Sequence, residues 1–292
     1  MLVFTTKSEL QKFANDEQFN EPRLLILKCA LKLCIDMRNP DSSMKMIVDG
    51  YPSIKSLIAI MLNKFTKPFV LFYLINDGVL SDLDALLQQA FDTLAALGDE
   101  FILYHTQTAI SDHLKNTVLA TIFDFSTPML PMNAFYMPSE KHQDVARLQL
   151  QLANGFRFFD LLPEHDASVI SGTWPCAKEE DILNTQSKIT YLPSVGVRFE
   201  DNLAAFEILY QTGILNHLYT LPEYRGKGLA KVVELKLCQK LIDIGICPFK
   251  CVAVGNSVAM PMADNSPYWK KIFSGSGPVI FDYRHIQRKS DS

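Results

Sequence analysis

The densest group of chemically capable residues in the chain is Arg225, Gly226, Lys227, Gly228, Leu229 and Ala230. It follows Leu218-Tyr219-Thr220-Leu221-Pro222, which reads as a strand ending at a proline, and it precedes a helical pattern. A helix N-terminus leaves several backbone N–H groups without intrahelical partners and carries a partial positive charge. Gly226 and Gly228 have no Cβ, so a diphosphate can approach the backbone closely there. Arg225 and Lys227 add full positive charges beside those amides. A pyrophosphate-binding turn is expected; the bland alternative is a charged strand-to-helix loop with ordinary glycine turn chemistry. The Walker pattern is absent, and Gly226-x-Gly228 is followed by Lys231 where a dinucleotide fingerprint needs a third glycine.

The elements needed to position such a turn are readable on both sides. Leu229, Val232, Val233, Leu237, Leu241 and Ile244 recur at helical spacing, and Gly245 falls where a helix-ending glycine belongs. Pro248 to Val254 then reads as a buried strand closed by Gly255-Asn256. Strand, turn, helix and strand make a βαβ unit.

Arg225-x-x-Gly228-x-Ala230 resembles motif A of the GNAT superfamily of acyl-CoA N-acyltransferases. The resemblance implies that the Arg225–Ala230 amides hold the pyrophosphate of coenzyme A. It further implies that Leu218, Tyr219 and Thr220 pair with the pantetheine arm through backbone groups, and that Asn256 meets that arm. In this superfamily the two strands of the unit can splay to leave a cofactor cleft. The match is closer to the glycine N-acyltransferase family. Gln211-Thr212-Gly213, Thr220-Leu221-Pro222-Glu223-Tyr224-Arg225, Gly245 to Asn256 and Ala259-Met260 are similar to it. So are Ser168 to Trp174 with the acidic helix from Lys178, Val48-Asp49-Gly50-Tyr51-Pro52, and Ser81-Asp82-Leu83-Asp84. That family implies an α/β fold of two packed GNAT-like domains, residues 1–135 and 136–292. Each is a mixed, mostly antiparallel sheet flanked by helices, with the cofactor cleft in the C-terminal one. It implies acyl transfer from acyl-CoA, as co-substrate, to the amino group of glycine or a related small amine. It also implies mitochondrial residence; without that, a cytosolic and in any case intracellular location is expected.

Attack of an amine on a thioester needs a neutral amine, a stabilised oxyanion and a protonated leaving thiolate. In the glycine N-acyltransferases a glutamate base directly follows the glycine matched by Gly213; this chain has Ile214 there. Either another group serves, or the chain is an acyl-CoA-binding protein with weak or lost catalysis. Strand alternation places Asn216 and Leu218 on one face with Ile214, and His217 on the other. Asn216 is able to orient an amine or a water. His217 has a suitable intrinsic basicity but equally suits a packed, satisfied histidine. Glu207, on the neighbouring strand, either reaches the cleft or is a solvated carboxylate. Tyr268, five residues before Phe273, repeats the spacing of a tyrosine acid in many GNAT enzymes, although counting from Asn256 points to Ala263. Trp174 reads as acceptor-pocket lining or core.

The chain has 292 residues, 48% of them hydrophobic, and a net charge of −4. That suits a compact globular core and disfavours nucleic acid or an anionic membrane as the main partner. No apolar run approaches the ~20 residues of a membrane span. The acidic N-terminus (Glu9, Asp16, Glu17, Glu21) is unlike a secretory or transit peptide, so mitochondrial import would need a non-standard signal. Cys29, Cys34, Cys176, Cys238, Cys247 and Cys251 form no Cys-x-x-Cys pair and have no histidines at zinc spacing. No metal is expected, the thiols read as free, and nothing predicts an oligomer.

Earlier in the chain, helices are expected over 7–13, 22–37, 81–97 and 112–123, and strands over 45–49, 54–62, 69–75 and 101–104. Residues 126–138, with three prolines, read as a linker. Later, strands are expected over 156–161, 195–199, 203–210, 213–221 and 278–283, helices over 163–172 and 178–188, and a frayed tail from Arg284.

Overall fold

The computed structural model describes residues 1–36, 39–174, 178–179, 181–274 and 277–290. The first half of the chain forms β1 (Leu2–Phe4), α1 (Lys7–Ala14), α2 (Leu25–Ile35), β2 (Ser42–Val48), β3 (Ser56–Asn63), β4 (Thr66–Leu74), α3 (Leu80–Ala95), β5 (Glu100–Gln107), α4 (Thr108–Leu114), β6 (Phe123–Asp124) and β7 (Leu130–Tyr136). The second forms α5 (Ser139–Ala146), β8 (Phe156–Phe159), α6 (Pro163–Gly172), α7 (Asp181–Tyr191), β9 (Ser194–Phe199), β10 (Asn202–Leu209), β11 (Leu215–Thr220), α8 (Leu229–Asp243), β12 (Phe249–Ala253), α9 (Ala259–Asp264), β13 (Lys270–Lys271), β14 (Phe273–Ser274), β15 (Gly277–Pro278) and β16 (Ile280–Arg288).

Among the described residues one 14-stranded sheet runs through both halves in the order β1-β2-β3-β4-β5-β16-β7-β12-β11-β10-β9-β8, with β13 on β7 and β6 on β16. Its pairings are antiparallel except β4–β5 and β11–β12. The central strands come from unexpected places. β16, from the end of the chain, pairs with β5 of the first half through Phe281↔Gln107 to Gln287↔Glu100. β7, from the middle of the chain, pairs with β12 through Phe249↔Tyr136 to Ala253↔Met132. The boundary expected at 135–136 falls at the end of β7.

Helices form where an apolar stripe meets the sheet. α3 buries Leu83, Leu86, Leu87, Ala90 and Leu94 at helical spacing. α8 does the same with Leu229, Val233, Leu237 and Leu241. Gly245, at φ +68°, ends it, donating to Ile242 O while Ile246 N donates to Leu241 O. α5 and α8 cover one face of the second half, and α6 and α7 the other. α2 packs in a third cluster that reaches across to Ile214 and Phe249.

Several local expectations are corrected. The presumed linker 126–138 holds β7, whose Ala134 and Phe135 are buried; the prolines masked an apolar strand. The helix expected over 112–123 is instead α4, a 3₁₀ turn over Val118–Thr121, and β6. Ser81 does not cap α3: Val79 occupies that place, its N–H donating to Asp82 Oδ2 at 2.9 Å. The tail is not frayed at Arg284, which is 3% exposed and donates to Phe125 O at 2.7 Å. Met37, the expected end of α2, and Cys176 lie outside the described residues. Cys29, Cys34, Cys238, Cys247 and Cys251 are free thiols.

Candidate active site

β11 is paired along its length on one edge only. Against β10 it pairs Ala205↔Thr220 and Phe206↔Tyr219, then Ile208↔Asn216 and Leu209↔Leu215. Against β12 it meets a single partner, Leu215↔Lys250. β12 meanwhile stays with β7. The two parallel strands therefore splay beyond Leu215, and among the described residues no strand pairs with the β12-facing edge of Asn216 to Thr220. The opening leads to the turn before α8.

That turn is built on a rigid base. Pro222–Tyr224 form a 3₁₀ turn in which Tyr224 N donates to Leu221 O at 2.9 Å. The Tyr224 ring packs edge-on against Phe156, with centroids 5.9 Å apart. Leu229, 2% exposed, pins the first residue of α8 into the core. Between these anchors Arg225, Gly226, Lys227 and Gly228 are exposed. Gly226 and Gly228 both have positive φ, +77° and +73°, and a Cβ on either would meet nothing within 4 Å. The conformation thus demands glycine while the space beside it is open. α8 has no side-chain cap and no acid in its first turn, so neither offsets the partial positive charge of its N-terminus. Ala230 is the second residue of α8. The Arg225 guanidinium folds back, its Nε donating to Thr220 O at 3.0 Å and its second nitrogen to Tyr219 Oη at 3.2 Å.

The strand does not alternate as a flat strand would. His217 has φ +58° and sits, with Leu218, opposite Glu207 alone in a β-bulge. Leu215 and Leu218 both pack on the α8 side, whereas Ile214 belongs to the cluster around α2. The expected sharing of a face by Ile214, Asn216 and Leu218 is overturned by this extra residue. Ile214 is 5% exposed among apolar side chains. A carboxylate there would be desolvated without a partner, so the isoleucine suits its surroundings. The preceding Gly213 is as constrained: φ is +85°, and a Cβ would lie 2.7 Å from Cys29 Cβ of α2.

The other candidates are dispersed. His217 is half-buried; Nε2 lies 2.8 Å from Thr173 Oγ1, and its ring contacts Trp174 and Phe206 edge-on. Burial, helped by the charge of Lys188, lowers its pKa to about 4, so it is a neutral imidazole near neutral pH. Trp174 is 45% exposed, which corrects the reading of it as core. Glu207 is not solvated: it is 2% exposed on the α8 side. Burial, with Glu234 nearby, pushes its carboxyl well above the ordinary glutamate range against a smaller pull from Lys250. Beside it, Glu234 pairs with Lys250 and accepts from Trp269 Nε1 at 2.8 Å. Asn256 accepts the Val258 and Ala259 N–H groups at 3.2 and 2.9 Å. Tyr268 follows α9 in a turn rather than lying on a helix, and Ala263 is fully buried in α9.

Two features of this region carry no sequence signal. Cys251, next to Lys250 at the apex of the splay, lies 2.6 Å from Nε2 of His105. Burial lowers the His105 pKa to about 3 and raises that of the thiol, so the pair is a neutral hydrogen bond. Lys188 of α7 is the other, and it is only 7% exposed.

The family described as FR47-like protein matches residues 194–264, from the start of β9 to the end of α9. No curated protein matches the chain in sequence comparison. Three solved structures are similar. One is the X-ray structure of a Drosophila protein, 13% identical over 98% of each chain, with a TM-score of 0.75. Another is a tandem GNAT protein from the clavulanic acid biosynthesis pathway, 10% identical over 100% of this chain and 99% of that one, with a TM-score of 0.56. The third is a GCN5-related N-acetyltransferase from Sphaerobacter thermophilus, 10% identical over 98% of this chain and 95% of that one, with a TM-score of 0.54. At these identities the likeness is one of fold. The chain shares the fold of these GNAT structures, a large, mostly antiparallel sheet flanked by helices.

Proposed function

We propose that the protein is an acyl-CoA-dependent N-acyltransferase that moves an acyl group to the amine of glycine or another small amino acid by direct attack. The observation that carries this reading is the unpaired edge of β11 leading to the open glycine turn at the start of α8. An extended pantetheine arm would hydrogen-bond along Leu218, Tyr219 and Thr220. The diphosphate would lie against the N–H groups of Gly226 to Ala230, flanked by Arg225 and Lys227, and Asn256 would approach the arm from β12. Arg225 would exchange its bond to Thr220 O for a phosphate oxygen. His217 is uncharged and oriented by Thr173, which suits a group that accepts a hydrogen bond from the incoming amine. The GNAT fold, the match to the FR47-like family and the resemblance to glycine N-acyltransferases support the same reaction class. Mitochondrial residence is proposed from that resemblance alone, and imaging of the tagged chain tests it.

One observation favours a second reading. Ile214 stands in the core where a carboxylate base is expected, which suits an acyl-CoA-binding protein with little catalysis. Calorimetric titration with acetyl-CoA, joined to a free-thiol release assay over a panel of small amines, separates the two. Binding with amine-dependent thiol release supports transfer, binding without release supports the carrier, and no binding ends both.

A further inference from the structure

α7 presents a polar face to the interior. Asn184 and Lys188, four residues apart, lie on one side of the helix and are 6% and 7% exposed. Neither has its hydrogen bonds completed among the described residues. Among the described residues Asn184 Oδ1 has no hydrogen-bond partner. Lys188 Nζ likewise has neither an ion pair nor a hydrogen bond among them; it stands 4.9 Å from the centroid of the Tyr210 ring. An ammonium this far removed from water is ordinarily paired with a carboxylate, and here an aromatic ring stands in that place. Burial has already lowered its pKa to about 8, against a pull from Asp181 further along the same face.

The position of this ammonium connects it with the cleft. Tyr210 directly follows β10 in the turn that leads into β11, and the field of Lys188 reaches His217 on β11 itself. Thr173 and Trp174, at the end of α6, hold His217 from the same side. Trp174, 45% exposed, places that side near solvent. These groups lie on the face of the sheet opposite α8, whereas the glycine turn lies at the α8 end. An acceptor approaching from the α6–α7 side would meet a cation held only by an aromatic ring, an amide oxygen without a partner among the described residues, and a neutral imidazole.

We propose that Lys188 is the anion-binding residue of an acceptor subsite, its ammonium pairing with the carboxylate of an amino-acid acceptor whose amine faces the open edge of β11. The assignment rests on the acyl-transfer reading and adds the residue that selects acids over plain amines. Asn184, one turn away, supplies an acceptor for a second polar group of the same ligand.

The test measures charge preference rather than turnover alone. In the unmodified chain, N-acetylglycine binds at least about tenfold more tightly than N-methylacetamide, followed by the change in tryptophan fluorescence. Lys188→Met erases most of that preference and raises KM for glycine by about tenfold while kcat changes by less than about threefold. Lys188→Arg restores part of the preference. Circular dichroism and unchanged acetyl-CoA affinity confirm that the variants fold. Equal binding of the two ligands to the unmodified chain overturns the assignment even if Lys188→Met does not fold. So does a preference that survives Lys188→Met, or acetylation of Lys188 itself on exposure to acetyl-CoA, detected by peptide mass spectrometry. Thiol release with neutral amines but no charge preference would sink this subsite and leave the transferase reading standing. Absence of thiol release with every amine would sink that reading, while a carboxylate preference in binding would keep the subsite.

Discussion

In the first half, β4 and β5 run parallel and are joined at Phe69↔Ile102 and Val70↔Leu103; in the second, β11 and β12 are joined at Leu215↔Lys250 alone. The first half closes its opening from within. The N–H of Phe72 on β4 donates to Thr106 Oγ1 at 3.1 Å, so a β5 side chain occupies the backbone group that an extended ligand would use. Its strand-to-helix turn is packed: a Cβ on Gly78 would lie 2.1 Å from Lys55 O. The helix that follows begins with an acid, Asp82, bonded to Val79 N, and Asp77 precedes it. The second half has two open glycines, two cations and no acid at the corresponding helix start. The same succession of strand, turn, helix and strand thus builds support in one place and a receptor for an anion in the other.

The comparison is broken most directly by a pair of substitutions. Gly78→Val should cost about 3 kcal/mol or more of fold stability, because backbone atoms would have to move; thermal melting reads it. Gly228→Val should instead weaken CoA binding more than tenfold, at least ~1.4 kcal/mol, with the smaller stability loss of a left-handed residue, about 1–2 kcal/mol. A Gly228→Val protein that binds CoA normally would remove the turn from the site. Thr106→Val leaves the Phe72 N–H unpaired and should cost about 1 kcal/mol, while calorimetry still counts one CoA per chain. A second bound CoA would show that the first half is a plugged receptor rather than a support. Arg225→Gln should weaken CoA binding by about 0.5–1 kcal/mol, because an exposed cation is screened, and the loss should shrink in high salt. The smallest effect concerns the acid beneath α8. Glu207 has a raised pKa in the folded chain, so the wild type loses stability as pH climbs above the ordinary glutamate range. Glu207→Gln should not show that loss, and its melting temperature should gain on the wild type as pH rises.

The amphipathic helices and the glycine turn were legible because each rests on local rules: α8 from its apolar spacing and its closing Gly245, the turn from two glycines beside two cations. What sequence could not show was long-range. Residues 126–138 read as a linker because Pro128, Pro131 and Pro138 are local breakers, yet the intervening apolar residues find their partner more than a hundred positions away in β12. The bulge at His217 was invisible for a related reason. Period-2 reasoning assumes a regular ladder, and one residue in the left-handed region re-aims every side chain before or after it. Lys188 was missed because a lysine on a short helix ordinarily faces water, and only the packing of α7 against the sheet removes it from solvent.

The exchange of β7 and β16 between the halves ties them like a clasp. Parting them would mean tearing a strand out of the middle of each half-sheet, with the whole hydrogen-bonded ladders Phe281↔Gln107 to Gln287↔Glu100 and Phe249↔Tyr136 to Ala253↔Met132 lost at once. The molecule therefore has no easy hinge at its waist. Whatever breathing admits a long, thin guest must come from the fork between β11 and β12, where one rung alone holds the prongs together.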